Sequence, residues 1–162
     1  MRRWAISAAV LVAGLVATIA IVGTMLPQGH RAQRTRLIAR PQADVFATIS
    51  DFARYPEWRS GVHRVTVDGA GAGALVREES DGETMTYRVE VFEPPSRLVM
   101  RIADDTLPFG GAWTYELRPA AAGTELTITE DGEIYNPIFR FMSRFVIGHH
   151  ATIDRVLSDL AR

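Results

Sequence analysis

From Val62 to Glu133 apolar and polar residues alternate with a period of two, the pattern of half-buried strands. The alternation predicts strands at 62–68, 73–79, 84–93, 97–103, 111–118 and 124–133. Turn residues separate them: Gly69-Ala70-Gly71, Ser80-Asp81-Gly82, Pro94-Pro95-Ser96, Asp104-Asp105 and Ala121-Ala122-Gly123. Turns this short predict antiparallel neighbours. Upstream, 33–40 reads as a first strand. Pro41 opens a short helix with Val45, Phe46 and Ile49 inward, and 51–55 forms a second helical turn closed by Pro56. Past Glu133 the period becomes helical. Asn136 suits an N-cap and Pro137 the first helical position, and Ile138, Met142, Phe145, His149, Ile153, Val156 and Leu160 then recur along one face, widened by Phe141 and Val146. The expected class is α+β: a curved, antiparallel, seven-stranded sheet in the order β-α-α-β6-α, wrapped around one long C-terminal helix over 136–162.

The N-terminus carries a different signal. Residues 4–26 contain no charge and would rise about 35 Å as a helix, against roughly 30 Å of hydrocarbon. Arg2 and Arg3 precede the run, and Pro27-Gln28-Gly29-His30 ends it. A signal peptide is the rival reading, but the run is longer than a usual apolar region and shows no clean small-x-small cleavage site. The expectation is a single-pass anchor and short linker over 1–29, touching the lipid bilayer through 4–26, and a separate domain over 30–162. Arg2 and Arg3 argue for a cytoplasmic N-terminus and Arg31, Arg34, Arg36 and Arg40 for the opposite, so the sequence assigns no side.

Composition narrows the function classes. The chain has 162 residues, 47% hydrophobic and 23% charged, with a net charge of −1 and no Cys. All 18 cationic Lys/Arg positions are Arg, without a basic patch interleaved with aromatics, so nucleic acid is not an expected partner. Thiolate chemistry and disulfides are excluded. The four histidines, His30, His63, His149 and His150, have neither HExxH spacing nor a carboxylate cluster. No phosphate loop or nucleophile elbow is present, and no metal or cofactor is expected.

Alternation also suggests what faces the last helix. Met85, Tyr87, Val89 and Val91 share a face, as do Leu98, Met100 and Ile102, then Trp113, Tyr115 and Leu117, then Leu126, Ile128 and Glu130. Such aromatic and methionine stripes are often plain core. One helix, however, does not easily fill the concavity of seven strands, which favours a pocket.

These segments also resemble a family. Pro41 through Trp58 (Pro-x-x-x-Val-Phe, Ser-Asp-Phe, Tyr-Pro-Glu-Trp), Gly110 through Leu117, Gly123 through Glu130 and the Asn-Pro-opened final helix are similar to the START-like SRPBCC superfamily, in its polyketide cyclase/dehydrase-like branch. The resemblance implies a helix-grip fold over 33–162 and a hydrophobic cavity between sheet and helix. It implies ligands such as lipids, sterols, quinones or polyketides, and no shared catalytic set.

The ligand-lining residues expected are Trp58, Met85, Tyr87, Met100, Trp113, Tyr115, Ile128, Met142, Phe145 and His149. Two of the polar side chains are catalytic candidates. His149, on the apolar stripe, could serve as an acid or base. Glu130 could pair with it if it faces inward, although a solvated strand end beside Asp131 and Glu133 is the plainer alternative. The function expected is a membrane-tethered module that binds or transfers a hydrophobic small molecule. The alternative is a cyclase/dehydrase-type enzyme acting on a lipophilic ketone or polyketide. With a filled core, a protein-binding role would remain; the sequence names no protein partner.

Overall fold

The computed structural model describes the backbone of residues 2–147 and 151–162, and side chains at position 7 and over 10–145 and 152–162. Helix α1 is Arg2–Met25, followed by β1 (Gly29–Ile38), α2 (Gln42–Ser50), a 3₁₀ turn (Phe52–Arg54) and α3 (Tyr55–Trp58). Six further strands are β2 (Val62–Asp68), β3 (Leu75–Ser80), β4 (Glu83–Glu93), β5 (Arg97–Ile102), β6 (Phe109–Ala120) and β7 (Gly123–Ile134). The chain ends in α4 (Pro137–Met142), a π-helical turn (Ser143–Ile147) and α5 (Ala151–Leu160). All strands pair antiparallel in one 7-stranded sheet of order β1-β7-β6-β5-β4-β3-β2.

The local chemistry behind these elements is mostly visible. Pro41, at φ −56°, enters α2, whose Val45, Phe46 and Ile49 are buried. Pro56 lies inside α3 rather than closing the preceding turn; a first helical turn needs no N–H from it. Glycines at 69, 71 and 73 have φ of 87°, 62° and 93°, which makes the β2–β3 loop a glycine-dependent turn. Asn136 caps α4 as its sequence predicts, its Oδ1 accepting from Ile138 N at 2.9 Å and Phe139 N at 3.3 Å.

Three sequence expectations change. β1 starts at Gly29, because Gly29 and His30 pair with Glu133 and Gly132 on β7. A bulge in β4 between Val89 and Val91 opposes Val89 to Met100 but Phe92 to Leu98. Val91 therefore leaves the inward row, and Phe92 takes its place against Phe46, ring centroids 5.5 Å apart. In place of one uniform α-helix over 136–162, the described residues form α4, a π turn and α5. The π turn adds a residue to its turn and shifts the phase of the stripe, so that Ile153, Val156 and Leu160 are buried while Ile138 and Phe145 are exposed.

The N-terminal expectation is corrected as well. Among the described residues no helix is long and apolar enough to cross a membrane. This overturns the single-pass anchor over 4–26, the bilayer contact and the membrane location. The end of α1 is instead built into the domain. Gly23 is buried, and a Cβ there would strike the Pro137 carbonyl. Arg140, itself buried, donates to the Leu26 carbonyl at 3.0 Å and the Tyr135 carbonyl at 3.1 Å, a cation set against a helix C-terminus. Gly23→Val should therefore undock α1 from α4 while leaving unfolding of the sheet unchanged. Limited proteolysis between residues 25 and 29 reads this directly; unchanged resistance would refute the docking.

The core lies between α2, α3, the concave face of the sheet and α5. Leu98, Leu126, Ile128 and Ile153 are fully covered, and Val156, Leu157 and Leu160 nearly so. This packing holds α5 across one part of the sheet and leaves the rest of the concavity open.

Candidate functional site

Register places the concave row. Met100 opposes Trp113 on β6, Tyr87 opposes Ile102, and Met85 opposes Glu78 on β3. Trp113 and Tyr115, two residues apart, share one face with ring centroids 6.4 Å apart. Between this row and α5 is a cavity of about 260 Å³ whose apolar wall is Met85, Tyr87, Met100, Trp113, Tyr115 and Val156.

A buried ion pair forms its polar end. Arg59 follows α3 and reaches Glu78 at 2.6 Å; their side chains are 15% and 7% exposed. The Arg59 guanidinium also lies 4.7 Å from the centre of the Tyr55 ring, whose hydroxyl donates to the Ile49 carbonyl at 2.7 Å. Burial opposes the Arg59 charge, but Tyr115, Glu78, Tyr55 and Tyr87 together hold its pKa above the ordinary arginine value. Burial also raises the phenols: Tyr115 to about 12, and Tyr87 well up, with Glu78 adding to the effect. Both remain protonated hydrogen-bond donors at neutral pH.

A second cavity of about 450 Å³ continues beyond Met85, Tyr87 and Trp113, which belong to both walls. Ile102, Phe109, Ile134 and Phe139 make it largely apolar, and His30, Glu130, Glu83, Glu133, Ser143 and Thr152 supply its polar groups. His30 Nε2 lies 3.5 Å from Glu130 Oε1. Burial lowers the His30 pKa and Asp131 partly offsets this, so the imidazole is neutral at neutral pH. Among the described residues no three His, Cys, Asp or Glu side chains converge to hold a metal.

Of the residues singled out in the sequence, the structure brings Met85, Tyr87, Met100, Trp113, Tyr115 and Glu130 to these walls. It places others elsewhere. Ile128 is fully buried in the core. Trp58 packs edge-on against Tyr55 at 5.3 Å and borders an outer groove with Arg40 and Glu57. Phe145 is 60% exposed and stacks on Phe141 at 4.9 Å, because the π turn swings it away from the sheet. Met142 lines neither cavity, while its neighbours Phe139 and Ser143 line the larger one. His149 lies outside the described residues, as does its expected pairing with Glu130. Sequence reasoning did not single out Arg59, Glu78 or the placement of His30. A buried charge shows no periodicity, and the first strand was expected to begin after His30.

Several solved structures share this architecture. An aromatase/cyclase from a Streptomyces species is 17% identical, covering 82% of this chain and 92% of its own, with a TM-score of 0.67. A START superfamily protein from Mycobacterium smegmatis is 16% identical, covering 82% and 94%, with a TM-score of 0.62. The di-domain aromatase/cyclase StfQ of steffimycin biosynthesis is 13% identical at a TM-score of 0.67; the match covers 83% of this chain but only 49% of that one, about half its length. These likenesses establish a common helix-grip fold. No protein of curated function matches the chain in sequence. Residues 29–162 match the family described as polyketide cyclase/dehydrase and lipid transport. With most of its length accounted for in this way, from the first strand through the last helix, the chain belongs to that family.

Proposed function

We propose that this chain binds a lipophilic small molecule, of lipid, quinone or polyketide type, between the concave sheet and the C-terminal helical segment. One observation carries the reading: two cavities share Met85, Tyr87 and Trp113 as a common wall. The larger cavity, of a few hundred Å³ with a mostly apolar wall, is typical of small-molecule sites, and the smaller one adds a polar end to it. The Arg59–Glu78 pair would orient the polar end of a ligand, and the Tyr87 and Tyr115 phenols would donate to its oxygens. Membership of a family described by cyclase, dehydrase and lipid-transport activities supports the same class of ligand.

The test is titration of the full chain with the naphthalene probe 1-anilinonaphthalene-8-sulfonate, followed by native mass spectrometry of the gently purified protein. Trp113→Ala removes a wall common to both chambers and should weaken probe binding roughly thirtyfold, the equivalent of about 2 kcal/mol. Unchanged affinity, together with a protein that extracts no lipophile, would sink the proposal. A second reading, acid/base turnover of a lipophilic ketone, is favoured by a different feature: Glu130 lines the larger cavity beside His30.

A further inference from the structure

We propose that the larger cavity selects lipophilic molecules that carry a positively charged nitrogen, an ammonium group held between the Trp113 indole and the Glu130 carboxylate. The inference rests on the ligand-binding reading above and names the class of ligand that one part of that site takes.

Backbone register builds the pair. Trp113 on β6 is directly opposite Glu130 on β7, so the two side chains leave the same face of the sheet with Cβ atoms roughly 5 Å apart. Both line the larger cavity, where Tyr87, Phe109 and Phe139 add further rings. The face of an aromatic ring attracts a cation, indole most strongly, and the attraction grows where water is excluded. The Glu130 side chain is 22% exposed, so its charge is only partly hydrated.

The charges around this cavity are of one sign. Glu83, Glu130 and Glu133 line it, and among the described residues no arginine does. The arginines nearest in sequence to its lining are engaged outside it. Arg31 follows His30 on β1, faces the other side of the sheet and pairs with Asp131 at 3.4 Å. Arg101 precedes Ile102 on β5 and pairs with Glu90 at 2.7 Å. The smaller cavity is built differently: Glu78 has Arg59 at 2.6 Å, Asp81 has His63 at 2.7 Å, and Arg155 lines the same wall. A cleft with low-dielectric walls focuses the field of its charges, and in the larger cavity that field is negative.

A ligand that suits both features has an apolar body and one cationic nitrogen. Its body would lie against Ile102, Phe109, Ile134 and Phe139, and its nitrogen against Trp113 and Glu130. A carboxylate or phosphate placed there would face three carboxylates and no arginine, and like charges so juxtaposed suppress binding. A neutral lipophile would bury Glu130 further and gain no charge pairing in return.

The experiment titrates the full chain calorimetrically with three probes of equal chain length, decyltrimethylammonium, decanol and decanoate, each below its aggregation or solubility limit. The ammonium should bind one molecule per chain, roughly tenfold or more tighter than decanol, and decanoate should bind more weakly than either. Glu130→Gln keeps the shape of the side chain and removes its charge. Trp113→Leu keeps an apolar wall and removes the ring. Each should lower the ratio of ammonium to decanol affinity by about threefold or more. A ratio separates this effect from a general loss of binding or of folded protein. Equal binding of ammonium and decanol, tighter binding of decanoate, or a ratio unchanged in either variant would overturn the proposal and leave the ligand-binding reading standing. Absence of binding by all three probes would overturn both.

Discussion

Replacing Glu78 with alanine should destabilise the domain by about 3–5 kcal/mol, the cost of leaving a buried charge without its partner. Arg59 has no means of escape. It cannot deprotonate in this range, the surrounding tyrosines favour its charged form, and its guanidinium is held beneath α3 against the Tyr55 ring. The carboxylate at 2.6 Å is the anion paired with it on the cavity wall. The loss should be much smaller when both partners go, because two apolar side chains of similar volume avoid the desolvation of either ion. Urea denaturation of Glu78→Ala and of the double variant Arg59→Met/Glu78→Leu separates these effects. A single variant that loses less than about 1 kcal/mol would show that water screens the pair, and its role as a desolvated polar end of the cavity would fall with it.

That ion pair also shows where sequence reasoning stops. Most of the sheet is legible because each strand alternates and each turn is marked by Gly, Pro or Asp, as at Asp104, whose Oδ1 accepts from Thr106 N at 2.9 Å. The inward row of Met85, Tyr87, Met100 and Trp113 comes from the same alternation. What alternation does not encode is which charged side chains meet. Arg59 and Glu78 are 19 residues apart and come together only because β2 and β3 form a hairpin at the end of α3. His30 and Gly132 meet through the pairing of the first and last strands. The polar character of β1, with Arg31, Gln33, Arg34 and Arg36 on an edge strand, conceals its early start. Irregularities are equally silent: one bulge moves Val91 out and Phe92 in, and one π turn undoes the single-stripe reading of the last helix.

The remaining anchor of the site is on α5, and it gives the second large effect. Asp159→Ala should cost about 3 kcal/mol, the loss of charge-assisted hydrogen bonds together with an unsatisfied backbone donor. Asp159 is buried among the apolar residues of α5, where it accepts from Ser60 N and Ser60 Oγ, both at 2.8 Å, with Arg162 at 3.2 Å. Ser60 comes directly after Arg59 and precedes Gly61, whose φ of 82° turns the chain into β2. One carboxylate thus ties the helix covering the smaller cavity to the loop carrying its arginine. If that tie sets how readily the cavity opens, Asp159→Ala should accelerate amide exchange in α5 and hasten release of a bound probe, while the β5–β6–β7 amides keep their protection. Asp159→Asn, which keeps one acceptor oxygen, should fall between the two. Faster release with α5 protection unchanged would place the opening elsewhere. Slow release in a protein destabilised throughout would mean that Asp159 supports the fold without governing access to the site.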